Sequence, residues 1–313
     1  AGAVAQCRHP LPPRRTAMLP PPPPSAPRGF VAVQAVLLLA GATAWAQQAS
    51  QAPWAANALW LAVLLACATA LAAVRHGRLG CWAALMVQCA ALATATSALE
   101  LTAWHWLFKP LAMLCAIVWV AASAHPERAG SAFGSPSTPA LDATGRRWLI
   151  GALAASLAGD AFLMVEGFFV PGLASFLLAH LAYIAVLRRG QRWFAHRGAL
   201  AATLAIGLGI YLLLWHGGLP PALRLPVAVY VTVIALMAAQ ALGRAHQLRR
   251  RGATLVALGA CSFLCSDAVL ATNRFVQPLP WAALWVLASY YLAQGLIVAG
   301  LLRPAARRAA PFG

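Results

Sequence analysis

The feature that most constrains this chain is a succession of apolar runs, each about as long as a bilayer is thick. They lie at about 30–46, 54–74, 80–103, 109–124, 148–168, 170–188, 198–216, 223–243, 252–272 and 280–302. A helix needs roughly 20 apolar residues to cross the hydrocarbon core. A segment in lipid must also pair its own backbone, which makes runs of this length helices. The expected fold is therefore all-α, a polytopic transmembrane helix bundle with eight core helices and one or two extra N-terminal spans. Composition agrees, with 62% hydrophobic and 9% charged residues where a soluble domain carries about 25% charged.

Four regions are expected. Residues 1–29 are rich in Pro, Ala and Arg, with five prolines in a row at Pro20–Pro24, a composition that favours disorder or polyproline II. Residues 30–79 hold signal-like or extra transmembrane segments. Arg28, the apolar run and the ending Ala44-Trp45-Ala46 resemble a secretory signal peptide; an uncleaved first helix fits equally well, and Met18 offers an alternative start. Residues 80–302 form the eight-helix membrane domain, and 303–313 a basic tail. The run at 109–124 is short and is expected to extend into the loop that follows.

The net charge of +17 invites a nucleic-acid reading, but the arginines lie in short loops between apolar runs, without aromatic platforms or recognition motifs. There they orient helices. Arg75 with Arg78, Arg128 with Arg146 and Arg147, Arg188–Arg197, Arg244–Arg251 and Arg303–Arg308 mark one side. The intervening loops carry only Lys109, Arg224 and Arg274. This alternation predicts a cytoplasmic C-terminus in a membrane of the bacterial inner type. The seven cysteines are scattered through apolar runs and read as small hydrophobes. No disulfide framework, cofactor or metal is expected.

Polar groups inside the runs are the candidates for function, because a charge at membrane depth is costly unless it meets a partner or a wet cavity. At 1.5 Å of rise per residue, Asp160 lies roughly 18 Å in from the arginine-rich end and His180 about 15 Å from the other. Asp267 falls in the outer half, and Tyr291 and Gln294 reach the middle. Glu100 and Lys109, the single lysine against 22 arginines, approach from the outer ends of their runs. Each has a plain alternative. Lys109 can be an interface anchor, Glu100 and Glu166 ordinary interfacial charges, His180 a helix-to-helix bond, and Arg274 a headgroup contact. Tyr290, Trp281 and Trp285 fit an aromatic belt. A structural ion pair is the alternative for Asp160 and Asp267.

Short motifs carry these residues: Phe-Lys-Pro-Leu at 108–111, Gly-Asp-Ala-Phe-Leu at 159–163 and Phe-Leu-Leu-Ala-His-Leu-Ala-Tyr at 176–183. Ser-Asp-Ala-Val-Leu-Ala-Thr-Asn-Arg-Phe at 266–275 and Tyr-Leu-Ala-Gln at 291–294 follow. Their order over residues 80–302 resembles the YhhN-type family of multi-helix membrane proteins, whose characterised animal members are lysoplasmalogenases. The resemblance implies a lipid substrate, with hydrolysis of the vinyl ether bond of lysoplasmalogens to a fatty aldehyde and a glycerophospho-base.

The residues suit that chemistry. A vinyl ether is cleaved by protonating its β-carbon, and water then captures the oxocarbenium ion. A carboxylic acid withdrawn from water can hold such a proton, and a second carboxylate can stabilise the cation and take a proton from water. Asp160 and Asp267 are the expected catalytic pair, without acid and base being assigned. Lys109 would bind phosphate or bias the pair. His180, Tyr183, Tyr291 and Gln294 would orient water and substrate, with Ser266, Glu100, Glu166 and Arg274 in support. Two rivals use other chemistry: a transporter or lipid-binding protein employing the same Asp/Lys/His cluster, and a zinc hydrolase needing three converging ligands.

Overall fold

A computed structural model of the protein describes residues 28–46, 54–75, 80–123 and 141–303. The proline-rich start, Arg78, Arg128 and the basic tail beyond Arg303 lie outside the described residues. Ten helices are described, and no strand: α1 (Arg28–Ala46), α2 (Trp54–Arg75), α3 (Cys81–Ala98), α4 (Thr102–Ala122), α5 (Ala143–Leu163), α6 (Phe169–Arg188), α7 (Arg197–Gly217), α8 (Pro221–Leu248), α9 (Arg251–Phe275) and α10 (Ala282–Leu302). Eight of them are long and apolar enough to cross a membrane. The helix α5 has the length, 21 residues, but carries Arg146, Arg147 and Asp160. The protein is an integral membrane protein with an all-α fold.

Seven helices close a ring. Following neighbours, α3 packs on α4, α4 on α5, α5 on α6, α6 on α8, α8 on α9, α9 on α10, and α10 back on α3. The helix α7 lies outside against α8 and α9, while α1 and α2 lie outside against α3. A reciprocal amide pair, Gln34 with Gln88 at 2.5 Å, ties α1 to α3. Lipid offers no hydrophobic drive between helices, so close approach depends on small residues. A Cβ on Gly259 would meet the carbonyl oxygen of Ala293 at 2.8 Å, and one on Gly300 that of Gly252 at 2.5 Å. The α9–α10 seam is therefore backbone against backbone.

The apolar stretch expected as one helix is divided at residues 99–101. The run at 80–103 breaks there, with Glu100 in the left-handed region at φ 59°, and α4 begins at Thr102. The helix α4 is thus not short; it starts seven residues earlier than expected and stops at Ala122, before the following loop. Pro110 sits inside it, and Lys109 consequently lies about 10 Å along the helix rather than at its tip. At the arginine-rich end, Asp142 caps α5 by accepting from the Gly145 amide at 3.0 Å. Its carboxylate also receives Arg189 Nη2 at 2.5 Å, tying the start of α5 to the end of α6. The Arg189 guanidinium is the main cause that holds the Asp142 carboxyl below its usual range. Cys67, Cys89 and Cys115 are buried as expected, but Cys265 faces outward.

Candidate active site

Six of the seven ring helices send a polar side chain inward, and these side chains form two clusters. In the first, Lys109 Nζ of α4 lies 3.3 Å from Asp160 Oδ1 of α5. Tyr290 of α10 donates to Asp160 Oδ2 at 2.6 Å. Tyr291, next along α10, donates to the Lys109 carbonyl at 3.4 Å. In the second cluster, Tyr230 of α8 donates a short hydrogen bond to Asp267 Oδ2 of α9. His180 Nε2 of α6 stands 3.0 Å from the Tyr230 oxygen and 3.6 Å from Asp267 Oδ2. Since the Tyr230 proton points to Asp267, its oxygen is left to accept, which places a proton on His180 Nε2. The chain of donors runs from His180 through Tyr230 to Asp267.

One ring separates the clusters. The Phe263 centroid is 4.7 Å from that of His180 and 5.4 Å from that of Tyr290. Phe176 packs edge-on against both Phe263 and Tyr290. Phe176 can lie there because a glycine faces it: a Cβ on Gly159 would strike its ring at 2.6 Å. Beyond this wall, Tyr183 donates a short hydrogen bond to Gln294 Oε1. His180 Nδ1 is buried with no hydrogen-bond partner among the described residues.

The two acids differ in access. The Asp160 side chain is 4% exposed and that of Asp267 18%. Asp267 and Tyr230 are the polar groups on the wall of a narrow apolar hollow that opens at the surface of the bundle. Leu163, Phe169, Phe176, Leu214, Val227 and Phe275 make much of the rest. The hollow occupies the half of the bundle where α5, α7 and α9 end.

Against the sequence reading, the structure brings Lys109, Asp160 and Tyr291 together in one cluster and His180 with Asp267 in another, with Tyr183 and Gln294 alongside. The two aspartates expected as a pair each take other partners, because Phe263 stands between the clusters. Lys109 is a buried partner of Asp160, not an interface anchor. Ser266 is turned away and donates to the Val286 carbonyl at 2.9 Å. Glu100 and Glu166 are exposed in the α3–α4 and α5–α6 turns. Arg274 lies over the Phe169 ring, 4.2 Å from its centroid. Tyr290 is no belt residue; it is buried on Asp160. Tyr230 carried no expectation at all. The available signal was scarcity: the chain has five tyrosines, and a phenol in mid-span needs a partner for its hydroxyl. Among the described residues no three His, Cys, Asp or Glu side chains converge as a metal centre would require.

Residues 104–301 match the YhhN family. The chain belongs to that family. Among curated relatives, the human lysoplasmalogenase TMEM86B is 38% identical over 155 residues, half of this chain and 63% of that protein. The TMEM86B of Sus scrofa is 40% identical over 150 residues, 48% of this chain and 61% of that protein. A Mycobacterium tuberculosis lysoplasmalogenase is 35% identical over 162 residues, half of this chain and 60% of that protein. The chain thus spans about three fifths of the length of the curated relatives it matches. No solved structure matches it. The YhhN match begins inside α4 and takes in every polar residue of both clusters; α3, which closes the ring, precedes it.

Proposed function

We propose that this YhhN-family protein is a membrane hydrolase that cleaves the vinyl ether bond of lysoplasmalogen-like lipids. One observation carries the reading: the carboxyl of Asp267 stands on the wall of an apolar hollow, held by a phenol that is itself backed by a histidine. An alkenyl chain fits the hollow's lining, and an acid with restricted water is what carbon protonation needs. The named lysoplasmalogenases among its relatives point to the same bond.

In this mechanism Tyr230 occupies Oδ2, so the transferable proton of Asp267 belongs on Oδ1. It passes to the β-carbon of the enol ether, whose double-bond electrons form the new C–H bond. The ether oxygen stabilises the cation left on the α-carbon. Water adds to that carbon while the Asp267 carboxylate takes its proton. The hemiacetal then collapses: Asp267 gives its regained proton to the glycerol oxygen as that C–O bond breaks. It takes the hemiacetal hydroxyl proton as the carbonyl forms, which leaves the acid protonated again and the products a fatty aldehyde and a glycerophospho-base. His180, through Tyr230, holds the Asp267 carboxyl in place and leaves Oδ1 to face the substrate. Asp160, paired with Lys109, acts from behind Phe263 by fixing Tyr290 and the field in which the cation forms. The arginine-rich end faces the cytoplasm in this reading, and substrate enters from the opposite leaflet.

Purified protein given a 1-O-alkenyl lysophospholipid should release aldehyde. Asp267→Asn should fold normally and release it about 10²–10⁴-fold more slowly, the usual worth of a positioned acid–base group. Wild-type rates in that variant would remove Asp267 from the chemistry.

A further inference from the structure

A second cavity lies at the arginine-rich end and shares no lining residue with the hollow at Asp267. It is a groove bounded by the start of α5, the end of α6 with the turn that follows it, and the end of α8. Its wall has two parts. Leu181, Ile184 and Arg188 recur at helical spacing on one face of α6, so an apolar strip leads along the helix to a guanidinium. Past the helix, Arg192 and Trp193 continue the wall, and Trp148 of α5 joins it. Leu181, Trp148 and Trp193 are each about half exposed, so the groove is open from outside the bundle. His180 and Tyr183 leave α6 on another face and are buried in the ring.

The polar part of the groove is held in place. Gly190, at φ 64°, ends α6 in the left-handed region that glycine adopts without steric cost. The Gln191 amide donates to the Arg188 carbonyl at 2.9 Å, a tight turn that keeps Arg188 and Arg192 on one cavity. The buried Gln240 of α8 accepts from the Phe194 amide at 2.9 Å and donates to the Arg192 carbonyl at 3.2 Å. The backbone on either side of Trp193 is thereby tied to α8, and the Arg188 guanidinium lies 5.0 Å from the Trp193 centroid. The charge is uncompensated. Arg189 also lines the groove, but its guanidinium is taken up by Asp142. Arg188 and Arg192 are in no ion pair among the described residues, and none of the described lining residues is acidic.

Orienting a helix requires only that arginines lie on one side of the membrane. It requires neither a turn pinned by a buried amide nor two free cations at the end of an apolar strip. An anion that carries its own acyl chains uses all three. A guanidinium matches phosphate oxygens, and an anionic bilayer lipid brings phosphate and hydrocarbon together. We propose that Arg188 and Arg192 bind the phosphate of an anionic, two-chain phospholipid whose acyl chain lies along Leu181 and Ile184. This lipid is a resident of the bilayer and not a substrate, because the groove presents no acid to act on it. The site stands independently of the hydrolase reading.

The test offers the full chain in detergent equal amounts of dioleoylphosphatidylglycerol and dioleoylphosphatidylcholine and reads retention by native mass spectrometry. The chains are identical, so any preference reports the headgroup. Wild type should retain the anionic lipid about tenfold to hundredfold over the zwitterionic one, and Arg188→Gln and Arg192→Gln should each cut that preference about tenfold, the usual worth of a charge-assisted contact. Arg251→Gln removes an exposed arginine of the same end that does not line the groove, and it should leave the preference unchanged. An equal loss in Arg251→Gln would mean that diffuse charge at this end attracts the lipid, and would overturn the site. So would equal retention of the two lipids by wild type, or an unchanged preference in both groove variants. A groove variant that loses both lipids alike would mark its arginine as structural and remove it from the site. Inorganic phosphate or glycerophosphoglycerol displacing the anionic lipid at equal concentration would reassign the groove to a free anion and overturn the lipid.

Discussion

At the scale of single residues, charge was readable and amphipathic side chains were not. Asp160 and Lys109 announce themselves because an apolar span tolerates a charge only beside a partner. Their pairing gives a test. Lys109→Met leaves a buried, unpaired carboxyl and should lower stability by about 3–5 kcal/mol, seen as a lower melting temperature in detergent. Lys109→Met with Asp160→Asn should recover most of that loss, because the pair is removed together. A double variant no more stable than the single would mean that the pair is not what Lys109 supports. Tyr230 and Tyr290 escaped the reading for a physical reason. A tyrosine has an apolar body and a polar tip, so its sequence position suits a membrane belt as well as a buried hydrogen bond. Which role it takes depends on helix rotation, and rotation is set by neighbours. Ser266 erred in the opposite sense: it adjoins Asp267, yet one step along a helix turns a side chain by about 100°.

At the scale of the element, helix existence followed from the length of the apolar runs, while helix ends depended on local stereochemistry. The break at Glu100 needs one residue in the left-handed region, and an acidic residue there gives no hydropathy signal that separates it from a continuous span. Packing seams were equally silent. Gly259→Val should lower the melting temperature, by an amount equivalent to about 1–3 kcal/mol, because its Cβ already meets backbone on α10. Gly209→Val, whose Cβ meets nothing within 4 Å, should not. Equal melting of the two variants would contradict the seam. The link from Asp142 to Arg189 has a pH signature. The folded state holds this carboxyl below its ordinary value of 3.8, so its contribution is present above that value and lost as pH falls through the folded one. The difference in melting temperature between wild type and Asp142→Asn should be steady near neutrality, shrink below about pH 3.8 and then vanish. A difference that grows on acidification has the wrong sign.

At the scale of the whole molecule, the sequence made the bundle legible but not its closure. Consecutive antiparallel helices are the natural guess, and most of the ring obeys it. The exception is α7, displaced outward so that α6 meets α8, and this brings His180 against Tyr230. No run length or loop charge encodes that step. It matters because Asp160 and Asp267, on α5 and α9, then face one interior across Phe263, with an apolar hollow opening on Asp267 alone of the two. The family fixes what kind of membrane protein this is; the ring arranges where its acids stand. The central claim is that the reaction begins with a proton delivered to carbon by Asp267. Hydrolysis of a 1-O-alkenyl lysophospholipid in D2O, with the aldehyde reduced at once to its alcohol, tests this most directly. The product should carry one deuterium on the carbon next to the former aldehyde carbon, and Asp267→Asn should form it about 10²–10⁴-fold more slowly. Product without that deuterium, or formed at the wild-type rate by Asp267→Asn, would contradict the account.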